Sequence, residues 1–570
     1  MKPAIMCLVD EELYEITVEL ITDVLGNYSK FLSKENFDLL HTLFNSPWAQ
    51  ERYDRLIQGD FEFESLQFGM FMIAFGDATI QDLTENIETD PLCNQYLSAL
   101  CGLLGAKGYA VHEDKIYVLA LEFWNTFVEV MVDHQYGSQE GTPSWFSAAQ
   151  AHILQVIERC WRKSQFPPAS IYNAWDSVDR TAFKDARRDF SDLLQQFYLT
   201  TGIPLLQVFI DLIHKAVETR NWAELEASVY YLCSFPDCVA EDAQRDEYLD
   251  KAFTPSVLSM FAQQNQVPTR AMKAFLDLIT LYADYFQKRP NLLPGVLNIV
   301  FEATGAPSLS KVASRAIEKL CSDCRAILVP ELGVFLQHYR NIASNASLDA
   351  TVKEAVMEGI ASIIQAIEPE ESKLAPLGQL LDYVESDVDL SLGFAAMQAS
   401  TGTQISTGIV NASARDDAAA VDAGVLALRC LTGIAKGIQV PDDTPVDLEK
   451  RESKYSSFWT TGPGSHVQQR IYSMICRVYG ALSNRSEIVE YACNILRVGF
   501  REMEPGPFVM PPSVTAQFIM KATVQTPRLG HVINTACFLV SSQKWGHGPD
   551  EEVLGTLLNW VAQLLHSVGG

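Results

Sequence analysis

The sequence predicts an all-α fold, an α-α superhelix (solenoid) of antiparallel helix pairs, on three observations. Amphipathic segments of helical length fill nearly all of the 570 residues, short turns join them, and no stretch alternates polar and apolar residues as a half-buried strand would. At the amino end, Leu13, Ile16, Leu20 and Val24 recur at three- and four-residue steps while Glu15, Glu19 and Asp23 fall on another face. That spacing predicts a helix over 13–25 with the Leu13/Ile16/Leu20/Val24 stripe turned to the core. The same spacing predicts helices over 115–132, 148–161, 186–198, 205–217, 272–286, 311–320, 352–367, 467–482 and 553–565, with Gly, Pro, Asn or Ser clusters between them. One such helix cannot bury its stripe alone, so neighbours must stack.

The length exceeds what one compact core supports, so the chain is either several domains or an elongated stack. With 48% hydrophobic and 20% charged residues and an unbroken helix-turn-helix rhythm, composition favours the stack. No strict repeat is visible, as expected of HEAT- or ARM-like units, which keep a hydrophobic rhythm more than a sequence. Three stretches are expected: a solenoid over 1–395, a loop-rich segment over 396–453 around an Ala-rich helix at 416–436, and further repeats over 454–570. The loosest connections within the first are 134–144 and 166–177, and the proline-rich run at 504–512 predicts a rigid corner.

Charge is abundant and uneven. The formal net charge is −28, and residues 1–100 hold five Lys and Arg against eighteen Asp and Glu. Such a field repels nucleic acid and attracts basic partners; the plainer alternative is that it keeps a long helical surface soluble. Twelve cysteines are scattered singly, many inside apolar helical runs such as those of Cys160, Cys476 and Cys537, a pattern expected in a reducing compartment. The amino end turns acidic at Asp10, Glu11 and Glu12 before a signal-peptide core forms, and no long uncharged apolar stretch predicts a membrane span.

Candidate chemistry is sparse. Cys321-Ser322-Asp323-Cys324 is a C-x-x-C with no second pair or histidine cluster beside it, which predicts two packed thiols at a helix end more readily than a metal or redox site. The ten histidines form no H-E-x-x-H. Thr461-Gly462-Pro463-Gly464-Ser465 lacks the lysine of a phosphate loop and reads as a turn before the helix near Val467. Glu370 and Glu371 follow Pro369 on an expected loop, where solvated carboxylates lack the raised proton affinity of a general acid. Aromatic pairs such as Phe123-Trp124, Tyr230-Tyr231 and Phe458-Trp459 are read as interhelical core. No catalytic residue, metal ligand or cofactor site is expected.

Four stretches go beyond generic periodicity. Asn221–Leu232, with Trp222, Glu226 and Ala227, resembles the "W-x-x-x-E-A-x-L-x-x-L" helix of the importin-β superfamily of nuclear transport receptors, in the branch of importin 13 and transportin 3. The segment from Ala313 to Arg325 is similar to that branch's "A-x-x-A-I-x-x-I-C-x-x-C-R" helix, which gives the C-x-x-C an ordinary place. Leu121–Asn125 resembles its "F-x-F-W" helix, and Phe183–Leu194 the helix carrying "F-x-x-x-R-x-D-x-x-D-x-L". Weaker similarity runs from about Leu25 to the end.

The resemblance implies a right-handed superhelix of A/B helix pairs whose B helices line a concave face for cargo or Ran-GTP. It also implies contact with phenylalanine-glycine nucleoporins and shuttling between cytoplasm and nucleus, without catalysis, cofactor, nucleic acid or membrane insertion. The family's amino-terminal Ran-binding segment has no clear counterpart ahead of Leu25, and the family continues beyond an end like Gly570, so the chain is expected to match the central and later part of such a receptor. Ile488–Arg501 resembles the arginine-rich helix with which transportin 3 grips phosphorylated arginine-serine segments. Arg497 and Arg501 match two of its arginines and share a helix face, making them the candidate cargo-binding residues. Tyr491 and Asn494 stand where the family helix has arginine, so an importin 13-like range of basic or mixed-charge cargo is expected. The plainer alternative for both arginines is solvation or pairing with acidic neighbours. From another class, a static HEAT scaffold or adaptor subunit is the alternative function.

Overall fold

A computed structural model of the chain describes residues 2–137, 141–345, 348–401, 410–441, 456–500, 505–542 and 550–569. Among the described residues there is no strand, and the bridge between Ala110 and Asp114 is isolated. The chain divides into two compact units, Met1–Leu281 and Tyr282–Gly570, each a stack of packed helices. This is the all-α architecture of antiparallel helix pairs that the periodicity predicted. The dividing point falls inside what the sequence treated as one stretch of solenoid.

In the first unit the helices include α1 (Tyr14–Tyr28), α2 (Phe63–Ala78), α3 (Tyr117–Gly137), α4 (Phe146–Lys163), α5 (Ser177–Thr201), α6 (Pro204–Thr219), α7 (Trp222–Leu232) and α8 (Thr269–Leu281). Local sequence sets several of their ends. The Asp176 carboxylate accepts from the Asp179 amide to start α5, and the Asn221 side chain accepts from the Glu224 amide to start α7. Pro204 opens α6, where its missing N–H costs nothing. α1 packs on α2, α3 on α5, and α7 lies against both α6 and α8. Phe68, Phe71, Phe123, Trp124, Phe127 and Phe190 are buried between them, each stabilising the stack by about 1.5–3 kcal/mol.

The expected inward stripe of α1 is corrected. Leu13, Ile16 and Leu20 are exposed, Ile16 by 70%, while Tyr14, Thr17, Val18, Ile21 and Leu25 are buried. The helix carries two apolar stripes one residue apart, and packing against α2 selects the one whose Tyr14 hydroxyl donates to the Glu64 carbonyl at 3.0 Å, with Arg52 over the Tyr14 ring.

A buried lysine organises the connection into α3. Lys163 Nζ lies 2.6 Å from Asp114 Oδ2 and donates to the Ala106 and Gly108 carbonyls, while Asp114 Oδ1 accepts from the amides of Ile116 and Tyr117. Two carbonyls and a carboxylate surround that ammonium, which is what makes its burial tolerable. The segment 166–177, expected to be loose, instead holds an aromatic cluster. Phe166, Tyr172 and Trp175 pack edge-on or tilted around Phe183 of α5, and a short helix, Ala169–Ala174, carries Tyr172. The expected helix over 272–286 ends at Leu281, although Tyr282, Ala283, Tyr285 and Phe286 continue the buried apolar pattern, so periodicity alone could not place the break.

In the second unit the helices include α9 (Ser310–Asp323), α10 (Ala350–Gln365), α11 (Leu374–Thr401), α12 (Val410–Gly437), α13 (Ser465–Leu482), α14 (Ser486–Gly499), α15 (Leu529–Ser541) and α16 (Glu551–Gly569). α12 is the centre of the unit, packed against α10, α11 and α14. Its glycines explain the close fit: a Cβ on Gly433 would sit 2.6 Å from the Glu354 carbonyl oxygen, and one on Gly437 2.0 Å from that of Glu358. Contrary to the expectation of no span-like stretch, Asp417–Gly437 is long and apolar enough to cross a membrane by composition, but 56% of that window is buried inside the protein, as suits a core helix. Of the segment 396–453 expected to hold polar loops, residues 402–409 and 442–453 lie outside the described residues, and α11 and α12 account for 396–401 and 410–437.

Arg470 and Arg477 of α13 reach Asp382, Glu385 and Asp389 of α11, lacing the two helices together. The expected corner is pinned where it is described: Gln468 donates to the Gly506 and Val509 carbonyls, and Phe508 and Met510 are buried. Thr461–Ser465 forms the expected turn, with Ser465 donating to the Gly462 carbonyl before α13.

Candidate functional site

The candidate arginines sit on or after α14. Its buried face is Ile488, Val489, Ala492, Cys493, Ile495 and Leu496, which leaves Tyr491, Asn494 and Arg497 half-buried on the other side. Arg497 donates to the Asn494 side-chain oxygen, and its guanidinium stands 5.8 Å from the centroid of Phe538 on α15. Asn494, one of the two substitutions for arginine in the motif, thus engages the arginine that remains. Arg501 lies outside the described residues.

The neighbouring helices extend this face into a charged row that the sequence reading did not find. On α12, Arg429 stands 5.8 Å from the Tyr491 ring centroid and pairs with Glu354 of α10 at 2.7 Å. Lys436, two turns further along α12, is 3.6 Å from both Glu354 and Glu358. Burial pushes the Glu358 carboxyl up to about 7; Lys436 opposes the shift, while Glu318 and Glu354 add to it. Burial also raises Glu318 on α9 above the usual carboxylate range. Three carboxylates from α9 and α10 therefore crowd two cations of α12, with Arg497 further along. The close approach allowed by Gly433 and Gly437 brings them within reach, and nothing in the local sequence of Glu354 or Lys436 announces it.

Such a row can receive a cationic side chain at the carboxylate end or an acidic one at Arg497. The first unit adds a wider acidic field. Glu11, Glu12, Glu15, Glu19 and Asp23 are all exposed, and among the described carboxylates of residues 1–100 only Asp60 pairs with an arginine or lysine, Arg55 at 2.8 Å.

The C-x-x-C does not resemble a reactive site. Cys321 and Cys324 are both buried; burial pushes the Cys324 thiol up to about 12 and Cys321 well above its ordinary value. Cys321 abuts α10, where a Cβ added to Gly359 would lie 3.3 Å from its sulfur. Two thiols therefore pack at the end of α9. No group of three or more His, Cys, Asp and Glu side chains suited to a metal occurs among the described residues.

The stacked helices define a helical-repeat fold. The comparisons narrow the class. No protein-family model matches the chain. The importin beta-like protein kap111 of Schizosaccharomyces pombe is 24% identical over 528 residues, 91% of this chain and 51% of that protein. Human importin-13 is 20% identical over 398 residues, 68% of this chain and 40% of that protein. Among solved structures, importin 13 in its cytosolic state matches with a TM-score of 0.77 at 16% identity, covering 98% of this chain and 60% of that one. The chain has the fold of importin 13, and its relatives are importin-β family members, as the helix motifs implied. It spans about half the length, or less, of the curated relatives it matches.

Proposed function

We propose that the chain works as part of a nuclear transport receptor, a karyopherin that binds protein cargo on its stacked helices and carries it through nuclear pores under Ran-GTP control. The observation that carries this reading is the alignment with an importin beta-like protein across 91% of the chain. In this reading the exposed acidic field of residues 1–100 and the carboxylates Glu318, Glu354 and Glu358 attract cargo of basic or mixed charge. Arg497, with Arg501, contributes a contact to acidic groups on the same cargo. Phenylalanine-glycine nucleoporins are the partners in transit, and the receptor shuttles between cytoplasm and nucleus.

The receptor itself catalyses nothing. Direction comes from the reciprocal coupling of two ligands, since Ran-GTP that weakens cargo binding must itself be weakened by cargo. The test is to immobilise the chain and measure three ligands: a basic folded domain, phenylalanine-glycine repeat peptides and GTP-locked Ran. Repeat peptides should be retained, and the Kd for the basic domain should rise several-fold between about 50 and 300 mM salt as screening shortens the reach of the acidic field. Retention of neither repeats nor Ran, with salt-insensitive binding of the basic domain, would replace this reading with a static scaffold.

A further inference from the structure

A cationic cavity interrupts the first unit of this acidic chain. It has a volume of about 450 Å³ and is framed by α5, α7, α8 and the segment 166–177. At its base Arg187 donates to both carboxylate oxygens of Glu226 at 2.9–3.0 Å, and the pair is nearly fully buried. Aromatic rings flank that guanidinium: Phe166 at 4.3 Å and Tyr230 at 4.4 Å from ring centroid to guanidinium carbon. A second guanidinium, Arg270, lies over Phe166 at 4.2 Å and Tyr172 at 4.4 Å.

The charge around the cavity does not cancel. Glu226 is consumed by Arg187, and Arg188 is held by Asp185 at 3.2 Å. Lys184, Arg270 and Lys273 also line the cavity, and among the described residues none of them has an ion-pair partner. Asp277 is the other carboxylate on the wall. A guanidinium stacked on rings keeps its N–H edges free and is held in one orientation, so little freedom is lost when it grips a planar or tetrahedral anion. The volume exceeds what a single small anion fills and suits one or two side chains of a docked segment.

We infer that this cavity binds an acidic protein segment, receiving a carboxylate or phosphate-bearing side chain between Arg270, Lys184 and Lys273. The inference stands on the cavity and not on the transport reading. A nucleic-acid backbone offers the same anions, but a chain of net charge −28 repels an extended polyanion over most of its surface. A short acidic segment inserted locally avoids that repulsion. Carboxylate and phosphate share the chemistry of the site, and the two are separated by experiment.

The test uses the whole chain and labelled peptides of one length: glutamate-rich, phosphoserine-containing and uncharged, with a single-stranded RNA of similar charge alongside. Fluorescence anisotropy should show binding of the glutamate peptide, the phosphoserine peptide or both, and none of the uncharged one; their ranking identifies the anion. Arg270→Gln with Lys273→Gln should weaken that binding about tenfold, while Arg315→Gln in the second unit should leave it unchanged. Because a variant could be misfolded, lysine-reactive footprinting of the unaltered protein gives a second reading. The bound peptide should slow labelling of Lys184 and Lys273 but not of Lys311 or Lys319. Acidic peptides that bind no better than the uncharged one, that leave Lys184 and Lys273 unprotected, or that are outcompeted by RNA at equal charge would overturn the inference.

Discussion

The cavity of the first unit and the charged row of the second are made from the same residue types and finish with opposite character. In the first, Arg187 and Glu226 satisfy each other in burial and leave Lys184, Arg270 and Lys273 facing the space. In the second, Arg429 and Lys436 are engaged by Glu354 and Glu358, and it is carboxylates, Glu318 among them, that are in excess. The difference shows that a net charge of −28 says little about the sign of any one site. Which charges remain for a partner is set by which are consumed in the packing of adjacent helices.

The largest expected effect breaks the first site. Arg187→Leu leaves Glu226 buried without its guanidinium and should destabilise the first unit by about 3–5 kcal/mol, whereas adding Glu226→Met should recover much of the loss. Urea unfolding followed by tryptophan fluorescence measures both; a double variant as unstable as the single one would mean that the rings around Arg187, and not the ion pair, hold the site. Next comes the second site's geometry. Gly437→Ala puts a methyl 2.0 Å from the Glu358 carbonyl and should cost about 1–3 kcal/mol, with the distance from Lys436 to Glu354 and Glu358 lengthening. A wild-type melting temperature for this variant would show that α12 and α10 can part freely.

A smaller effect concerns pH. Burial raises Glu358 from 4.5 to about 7 in the folded state, so the native protein holds a proton that the unfolded chain has already released. Its contribution to stability is fully present below about pH 4.5 and is lost as pH rises through about 7. Glu358→Gln should therefore match the wild type at acid pH and exceed it by about 1–2 kcal/mol at pH 8, measured by denaturant titration at both values. An unchanged pH slope would mean that the row keeps its charge solvated. Least of all, Gly480→Ala on the exposed side of α13, with no atom within 4 Å of the added Cβ, should stabilise by about 0.5–1 kcal/mol through helix propensity alone. Set beside Gly437→Ala, it separates the cost of close approach from that of the residue change.

Much of the helical plan was legible from spacing. Nine of the ten predicted segments coincide with helices, 272–286 being broken after Leu281, and the helix end at Cys321 and Cys324 packs its thiols as read. Failures came where two patterns were equally periodic. α1 offers Leu13/Ile16/Leu20 and Tyr14/Val18/Ile21/Leu25, and only its seat on α2 distinguishes them. Phe166–Ser177 looked loose because its Pro and Ser mark turns, yet its aromatic residues wall a cavity. Arg187 lay within the quoted motif of Phe183–Leu194, but its companions Phe166, Tyr230 and Arg270 come from separate segments, so no local window could join them. The same is true of Glu354 and Lys436, which meet across α10 and α12.

By itself the sequence determined that the chain is helical, where many of its longer helices lie, and that its surface is acidic, because caps, turns and the 3.6-residue period are local properties. Only the tertiary structure decided which stripe of a two-sided helix is buried, where glycine lets helices touch, and which charges survive unpaired. Those depend on distances between side chains far apart in the chain, and an ion pair or a cavity exists only once stacking has brought its members together.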